Sequence, residues 1–185
     1  ALRTDEEATK KDFEQRVQGL VPEGVHVKMD HFLALNDDKS SLIALLDVSG
    51  TLGTVTCKRV IIPATFFESE TKPLFVSEKR ENPIDLRYPS EVQDTVQVTL
   101  APGLQVESLP KDITTVSPLG AEYKGVNNGT ATSFKQVRLL AIANTIFTAK
   151  EYPELRGFFQ GANADDHQQA VLEKARTAAG SANGQ

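Results

Sequence analysis

A thiol nucleophile reacts as the thiolate and needs a histidine to take its proton, with a third group to orient that base. Cys57 is the only cysteine among 185 residues, and His26, His31 and His167 are the three histidines it could use. Activated thiolates sit at helix N-termini or at exposed positive sites. Cys57 lies instead in Val55-Thr56-Cys57-Lys58-Arg59-Val60, which reads as the inside of an alternating strand. Lys58 and Arg59 supply positive charge, yet a buried or sheet-face thiol is the ordinary outcome there. His26 and His31 are five residues apart, which on a regular strand puts them on opposite faces and denies them a shared metal. Asp165-Asp166-His167 has the composition of a ligand cluster, but adjacent acids at a helix start serve its dipole without a metal. Asn36-Asp37-Asp38 lacks the spaced oxygen ligands and closing glutamate of a calcium loop and reads as a turn. Asn128-Gly129-Thr130 fits a glycosylation acceptor, and a tight hairpin explains it as well. No phosphate-binding glycine loop, HExxH or nucleophile elbow occurs. The residues therefore assign no catalytic group, no metal and no cofactor. With no tryptophan and three tyrosines, Tyr88, Tyr123 and Phe75 are what remains to line a binding groove.

The elements that would position these groups follow from the period of the apolar residues. Thr4 can cap a first helix whose start carries Asp5, Glu6 and Glu7, with Phe13, Val17 and Leu20 on one side and Gly19 and Pro22 ending it. The period then changes: Val25, Val27 and Met29 alternate with His26, Lys28 and Asp30, as in a half-buried strand. A turn at 36–39 precedes an apolar stretch, 41–48, that reads as a buried strand, and 51–62 reads as a third. Residues 65–82 form a looser connection with short strand pieces. The segment 83–89 puts Ile84, Leu86 and Tyr88 on one face, and Val92, Val96, Val98 and Leu100 begin a new alternation. Brief strands follow at 104–109, 113–116 and 121–126. Asn127-Asn128-Gly129 is the strongest turn signal, with a return strand over 130–147. Helical spacing resumes at 151–160 and 165–176, the second piece capped by Asn163 or Asp165, before a small, polar tail at 177–185. Short strands at intervals of about ten residues predict one mainly β domain. It consists of an antiparallel β-sandwich over 23–150, flanked by an N-terminal helix in 1–22 and C-terminal helices in 151–176.

Composition bounds the partners. Net charge is −5, with lysines and arginines scattered singly, so no basic stripe is present to displace counterions from nucleic acid. No apolar run approaches the ~20 residues of a membrane span. The chain begins at Ala1 without an apolar leader, which leads us to expect a segment drawn from inside a longer polypeptide.

Arg80-Glu81-Asn82-Pro83-Ile84-Asp85-Leu86-Arg87-Tyr88-Pro89 resembles the R-x-x-P-[IV]-D-L-x-Y-P segment in the C-terminal part of bacterial exported transglutaminase-like proteins. Further similar positions follow in order: Gly103 to Pro110, Tyr123, Val137-Arg138, Glu151-Tyr152, Leu155, Phe158-Phe159, Asp166 and Val171-Leu172. Upstream, 42–50 and 59–63 resemble the region that follows the catalytic domain in that family. The resemblance implies a C-terminal β domain of unknown function, periplasmic or extracellular, whose partners are other domains of the same polypeptide. The alternative reading is a stand-alone extracellular β-sandwich that binds a peptide, protein or other polymer on a sheet face, a strand edge or its end loops. The family's cysteine opens a helix in a central domain, so its triad maps onto no residue here. Arg80, Pro83, Asp85, Tyr88, Pro89 and Tyr152 are expected to be structural: the prolines bracket a short strand, Asp85 pairs with Arg80 or Arg87, and Tyr88 buries its ring.

Overall fold

Gln18 and Glu14, two polar residues on the first helix, show how the N-terminal part is held. A computed structural model describes residues 6–35, 37, 39–67 and 72–175; Thr4, Asp5, Asn36, Asp38 and the 177–185 tail lie outside them. Helix α1 (Glu6–Gln18) is followed by β1 (Val25–Leu33) and β2 (Ile43–Gly50), an antiparallel ribbon with Val27 opposite Val48 and Leu33 opposite Ile43. Val25 and Val27 point into a small core with Val17, Leu46, Phe66 and Phe67, as the alternation predicts. Along the free edge of β1, side chains of α1 stand in for a third strand. Gln18 Nε2 donates to the Val25 carbonyl at 2.7 Å, Gln18 Oε1 accepts from the Val27 N–H at 2.9 Å, and Glu14 accepts from the Met29 N–H at 2.9 Å. Backbone groups that an edge would leave to water or to another chain are thereby satisfied.

β2 has no such cover. It is mostly exposed, with only Ala44 and Leu46 partly buried, and among the described residues no strand pairs with its far edge. The reading of 41–48 as a buried strand is corrected accordingly: an apolar run marks a strand without saying how many faces are covered.

The stretch 51–62 is a hairpin rather than one strand, β3 (Thr54–Val55) and β4 (Arg59–Pro63), closed where the Thr56 N–H donates to the Arg59 carbonyl at 2.8 Å. With β7 (Leu104–Ser108) and β12 (Gln169–Lys174) these form a four-stranded antiparallel sheet in the order β3-β4-β12-β7. β12 corrects the expectation of helix to residue 176. The adjacent pair Val171-Leu172 fits either period, and pairing with β4 on one side and β7 on the other decides for strand, burying Ala170 and Leu172.

A second four-stranded sheet has the order β6-β10-β9-β8, from β6 (Ser90–Thr99), β8 (Ile113–Ser117), β9 (Ala121–Gly129) and β10 (Ser133–Ile142). Its central turn lies at Thr130–Ser133, not at Asn127-Asn128-Gly129. Those three residues stay in β9, opposite Gln136, Lys135 and Phe134. Thr130 decides the position, its N–H donating to the Ser133 carbonyl at 2.8 Å and its hydroxyl meeting that of Ser133 at 2.9 Å. Gly129 answers to packing, since a Cβ there would stand 2.8 Å from Leu109 Cδ1. The return strand stops at Ile142. β11 (Ile146–Phe147) then pairs with β5 (Ile84–Asp85), all of 83–89 that is strand.

Phe134 packs with Ile62, Ala170 and Leu172, ringed by Val98, Leu100, Val106 and Leu109, and this core joins the two larger sheets as a sandwich. A separate core lies under α2 (Tyr152–Asp166), where Tyr152, Leu155, Phe158 and Phe159 meet Tyr123, Ile142 and Phe147. The C-terminal region is therefore one helix followed by a central strand.

Candidate functional site

Alternate residues of a strand share a face, and on β10 the buried face reads Phe134, Gln136, Arg138, Leu140, Ile142. Phe134 belongs to the core between the sheets and Ile142 to the core beneath α2, so Gln136 and Arg138 form a polar seam between two apolar regions. Gln136 Nε2 donates to Thr65 Oγ1 at 3.1 Å. Arg138, 3% exposed, donates through Nε and Nη2 to the two oxygens of Asp166 at 2.6 and 2.8 Å. Its Nη1 lies 3.5 Å from Asp94 on β6, and its guanidinium carbon lies 5.6 Å from the centre of the Tyr123 ring. The Tyr123 hydroxyl is 2.7 Å from Asp165 Oδ2 and 2.8 Å from Asp166 Oδ1. Gln168 donates to the other Asp165 oxygen at 2.6 Å.

The carboxyls of Asp165 and Asp166 stand at the C-terminal end of α2, with no basic residue in its last turn, so the dipole opposes their charge. Burial, with the neighbouring Asp166 charge adding to it, pushes the Asp165 carboxyl above the usual carboxylate range, against the opposing pull of the Tyr123 hydrogen bond and Arg138. Burial also raises Tyr123, followed by the Asp166 charge and the two hydrogen bonds, so its phenol keeps its proton. A cavity of about 100 Å³ adjoins the Arg138–Asp166 pair, walled by Leu74, Val92, Leu140 and Phe159 and flanked by Lys72. With the guanidinium gripped by carboxylates, this arrangement holds charge and protons in place.

The residues singled out from sequence are not brought together. Cys57 is exposed in the turn between β3 and β4, not within a strand, and no described residue hydrogen-bonds its sulfur. A bulge between Met29 and His31 shifts the register, so His26 opposite Ser49 and His31 opposite Leu45 lie on the same face, contrary to the count along a regular strand. They remain roughly 13 Å apart along the ribbon. His167 Nδ1 contacts the Asn163 carbonyl at 2.7 Å. Among the described residues no group of three or more His, Cys, Asp or Glu could hold a metal ion, and no helix is long and apolar enough to cross a membrane.

Tyr123 is buried at 1%, Tyr88 is 75% exposed, and Phe75 packs edge-on against Tyr152 and Phe159, so the three aromatics line no common groove. The exposed ring of Tyr88 corrects the expectation that it is buried. In the 80–89 segment, Asp85 accepts from the Arg87 backbone N–H at 2.7 Å, and this local turn takes the place of the expected ion pair. Arg87 adopts a left-handed conformation at φ 69°. The Arg80 guanidinium lies 6.0 Å from the Tyr152 ring centre, and Tyr152 donates to the Ser77 carbonyl at 2.5 Å, fastening this connection to α2. The seam itself escaped sequence reading. Its signal was Gln136 and Arg138 at inward positions of an otherwise apolar alternation.

A second candidate lies on the β1–β2 ribbon. Leu33, Ile43 and Leu45 are exposed, with Ile43 at 51%, and Leu33 sits directly opposite Ile43. A neighbouring cavity of about 230 Å³ is lined by Phe13, Phe32, Leu35 and Leu42, with Asp12 and Arg16 paired at 2.9 Å among its walls.

Comparison with known proteins places the fold. No curated protein matches the chain. A crystal structure described as "a putative protease from Parabacteroides distasonis" is similar at a TM-score of 0.52 and 15% identity over 63% of this chain. The match takes in 24% of that solved chain, so this chain spans about a quarter of its length. Residues 58–172, from the β3–β4 turn into β12 and so including the β6-β10-β9-β8 sheet, most of the other larger sheet, α2 and the seam, match the model of a domain of unknown function with solved structure, DUF3858, and the chain belongs to that family.

Proposed function

We propose that this chain is a non-catalytic accessory module of a larger exported, transglutaminase-like polypeptide, and that it packs on a catalytic domain of that polypeptide and presents substrate to it in the periplasm or outside the cell. The observation that carries this reading is the exposed apolar face of the β1–β2 ribbon, Leu33, Ile43 and Leu45, beside an edge of β2 that no strand among the described residues pairs. Contiguous exposed apolar residues of this kind mark interaction sites. The resemblance at Arg80 to Pro89 and the much greater length of the solved neighbour support the larger context. The partner is then a domain of the same chain that covers Ile43 and Leu45.

The test is binding between this module and the separately produced remainder of the parent polypeptide, measured by calorimetry. The double variant Ile43→Asp, Leu45→Asp should weaken binding at least about tenfold, a change of ~1.4 kcal/mol, while leaving the fold intact. Unchanged binding removes the ribbon as the docking face and the proposal with it. A second reading, addition of an extended peptide as a new strand, is favoured by the open edge of β2. It predicts that proline at Ala44 or Leu46 abolishes peptide binding while changes on the outer face do not.

A further inference from the structure

Two carboxyl groups share one hydroxyl at the seam. Tyr123 Oη lies 2.7 Å from Asp165 Oδ2 and 2.8 Å from Asp166 Oδ1. A phenol has one proton to donate, and an ionised carboxylate has none. Two short oxygen–oxygen contacts therefore need two protons, so one carboxyl carries the second. Asp166 is not the carrier: both its oxygens are taken by the Nε and Nη2 donors of Arg138, the two-pronged geometry that suits a carboxylate. Asp165 has the surroundings of a neutral acid. Its second oxygen accepts from the uncharged amide of Gln168, and its first fits a hollow left by Gly125, where a Cβ would stand 2.6 Å from Oδ2.

We infer that Asp165 is a protonated carboxylic acid in the folded protein and that its proton is a pH-operated latch. It donates to Tyr123, which donates to Asp166, which accepts from Arg138, and so holds the end of α2 to β9 and β10. Among the described residues the charged groups around Asp165 are Asp166 on its own helix, Arg138 on β10 and Asp94 on β6. β9 contributes the phenol of Tyr123, and Ile113 of β8, which packs at Gly125, adds no charge. His167 follows on the chain with its ring on Asn163, and Lys72 lies across the cavity beside Asp166. Loss of the proton adds a third carboxylate, Asp165, to those of Asp94 and Asp166 around the Arg138 guanidinium, with the Tyr123 oxygen against a lone pair of Asp165. Because β12 begins at Gln169 and lies between β4 and β7, release of the helix end loosens the sheet that β12 joins.

Carbon-detected NMR titration of the aspartate carboxyls in the full chain, with melting temperature against pH for the wild type and Asp165→Asn, tests the latch. Asparagine reproduces the neutral acid, its amide donating to Tyr123 and its oxygen accepting from Gln168. One aspartate signal should titrate above the ordinary carboxylate range and vanish in D165N. The wild-type Tm should fall by about 3 °C for each pH unit between the ordinary carboxylate value and that elevated one, levelling off above it, and D165N should show no such fall. Ordinary titration of every aspartate, or an equal fall in D165N, overturns the inference. If D165N does not fold, the wild-type carboxyl titration decides alone.

Discussion

Arg138 makes a clear energetic test because it sits where two apolar cores meet and a carboxylate faces it in a near-dry setting. Removing one partner of a buried ion pair leaves the other charge unpaired, at a cost of about 3–5 kcal/mol. Arg138→Met should therefore destabilise by that amount in urea unfolding. The double change Arg138→Met with Asp166→Leu should recover much of the loss, since an apolar replacement of both partners removes the stranded charge. Gly125→Ala drives a Cβ to within 2.6 Å of Asp165 Oδ2 and should cost about 1–3 kcal/mol. The pH dependence has a definite sign. Asp165 is raised in the fold, so its contribution is complete below the ordinary carboxylate range and is lost as pH rises through its elevated value. Glu151 runs the other way. Hydrogen bonds from the Thr148 backbone N–H and hydroxyl lower it, so its contribution holds above the ordinary glutamate value and disappears as pH falls through the lowered one. In a Tm profile, Glu151→Gln should remove a loss on falling pH below the ordinary glutamate value, and Asp165→Asn a loss on rising pH above the ordinary aspartate value.

At the scale of elements, the two edges of the N-terminal ribbon differ in how they are finished. Gln18→Ala uncovers the Val25 carbonyl and the Val27 N–H and should cost about 1–2 kcal/mol, with faster hydrogen exchange at the Val27 amide than at its neighbours. Strict alternation made β1 legible from residue types, and its inward side chains, Val25, Val27 and Met29, are those the alternation selects. In β6 it selects Val96 and Val98 but also Val92, which is exposed, and passes over the inward Asp94. Where apolar residues come in pairs, as at Val171-Leu172, local sequence is silent on period, and a partner strand from 59–63 settles the matter. The misplaced turn has a similar origin. Asn127-Asn128-Gly129 tolerates a turn but equally tolerates pairing, and the side-chain hydrogen bonds of Thr130 and Ser133 favour the later position. The candidate site was the least legible part. Tyr123, Arg138 and Asp165 lie on three elements, and their meeting depends on how α2 is laid across β9 and β10.

Over the described residues, apolar burial is divided among a core under α1, one between the sheets and one under α2, and the buried charged side chains, Arg138, Asp165 and Asp166, lie at the seam. Exposed Leu33, Ile43 and Leu45 take part in none of the three. Substituting Ile43 and Leu45 by lysine should therefore change unfolding free energy by no more than about 0.5 kcal/mol per site while reducing self-association in light scattering. The position of β12 has a consequence for biosynthesis. Gln169 pairs with Pro63, and the same strand separates β4 from β7. During vectorial synthesis β4 and β7 emerge early without direct contact, and their sheet zips together only when a segment made over a hundred residues after β4 leaves the ribosome. A nascent chain arrested before Gln169 should then stay protease-sensitive across 54–63 and 104–108, whereas the β9–β10 hairpin is already protected.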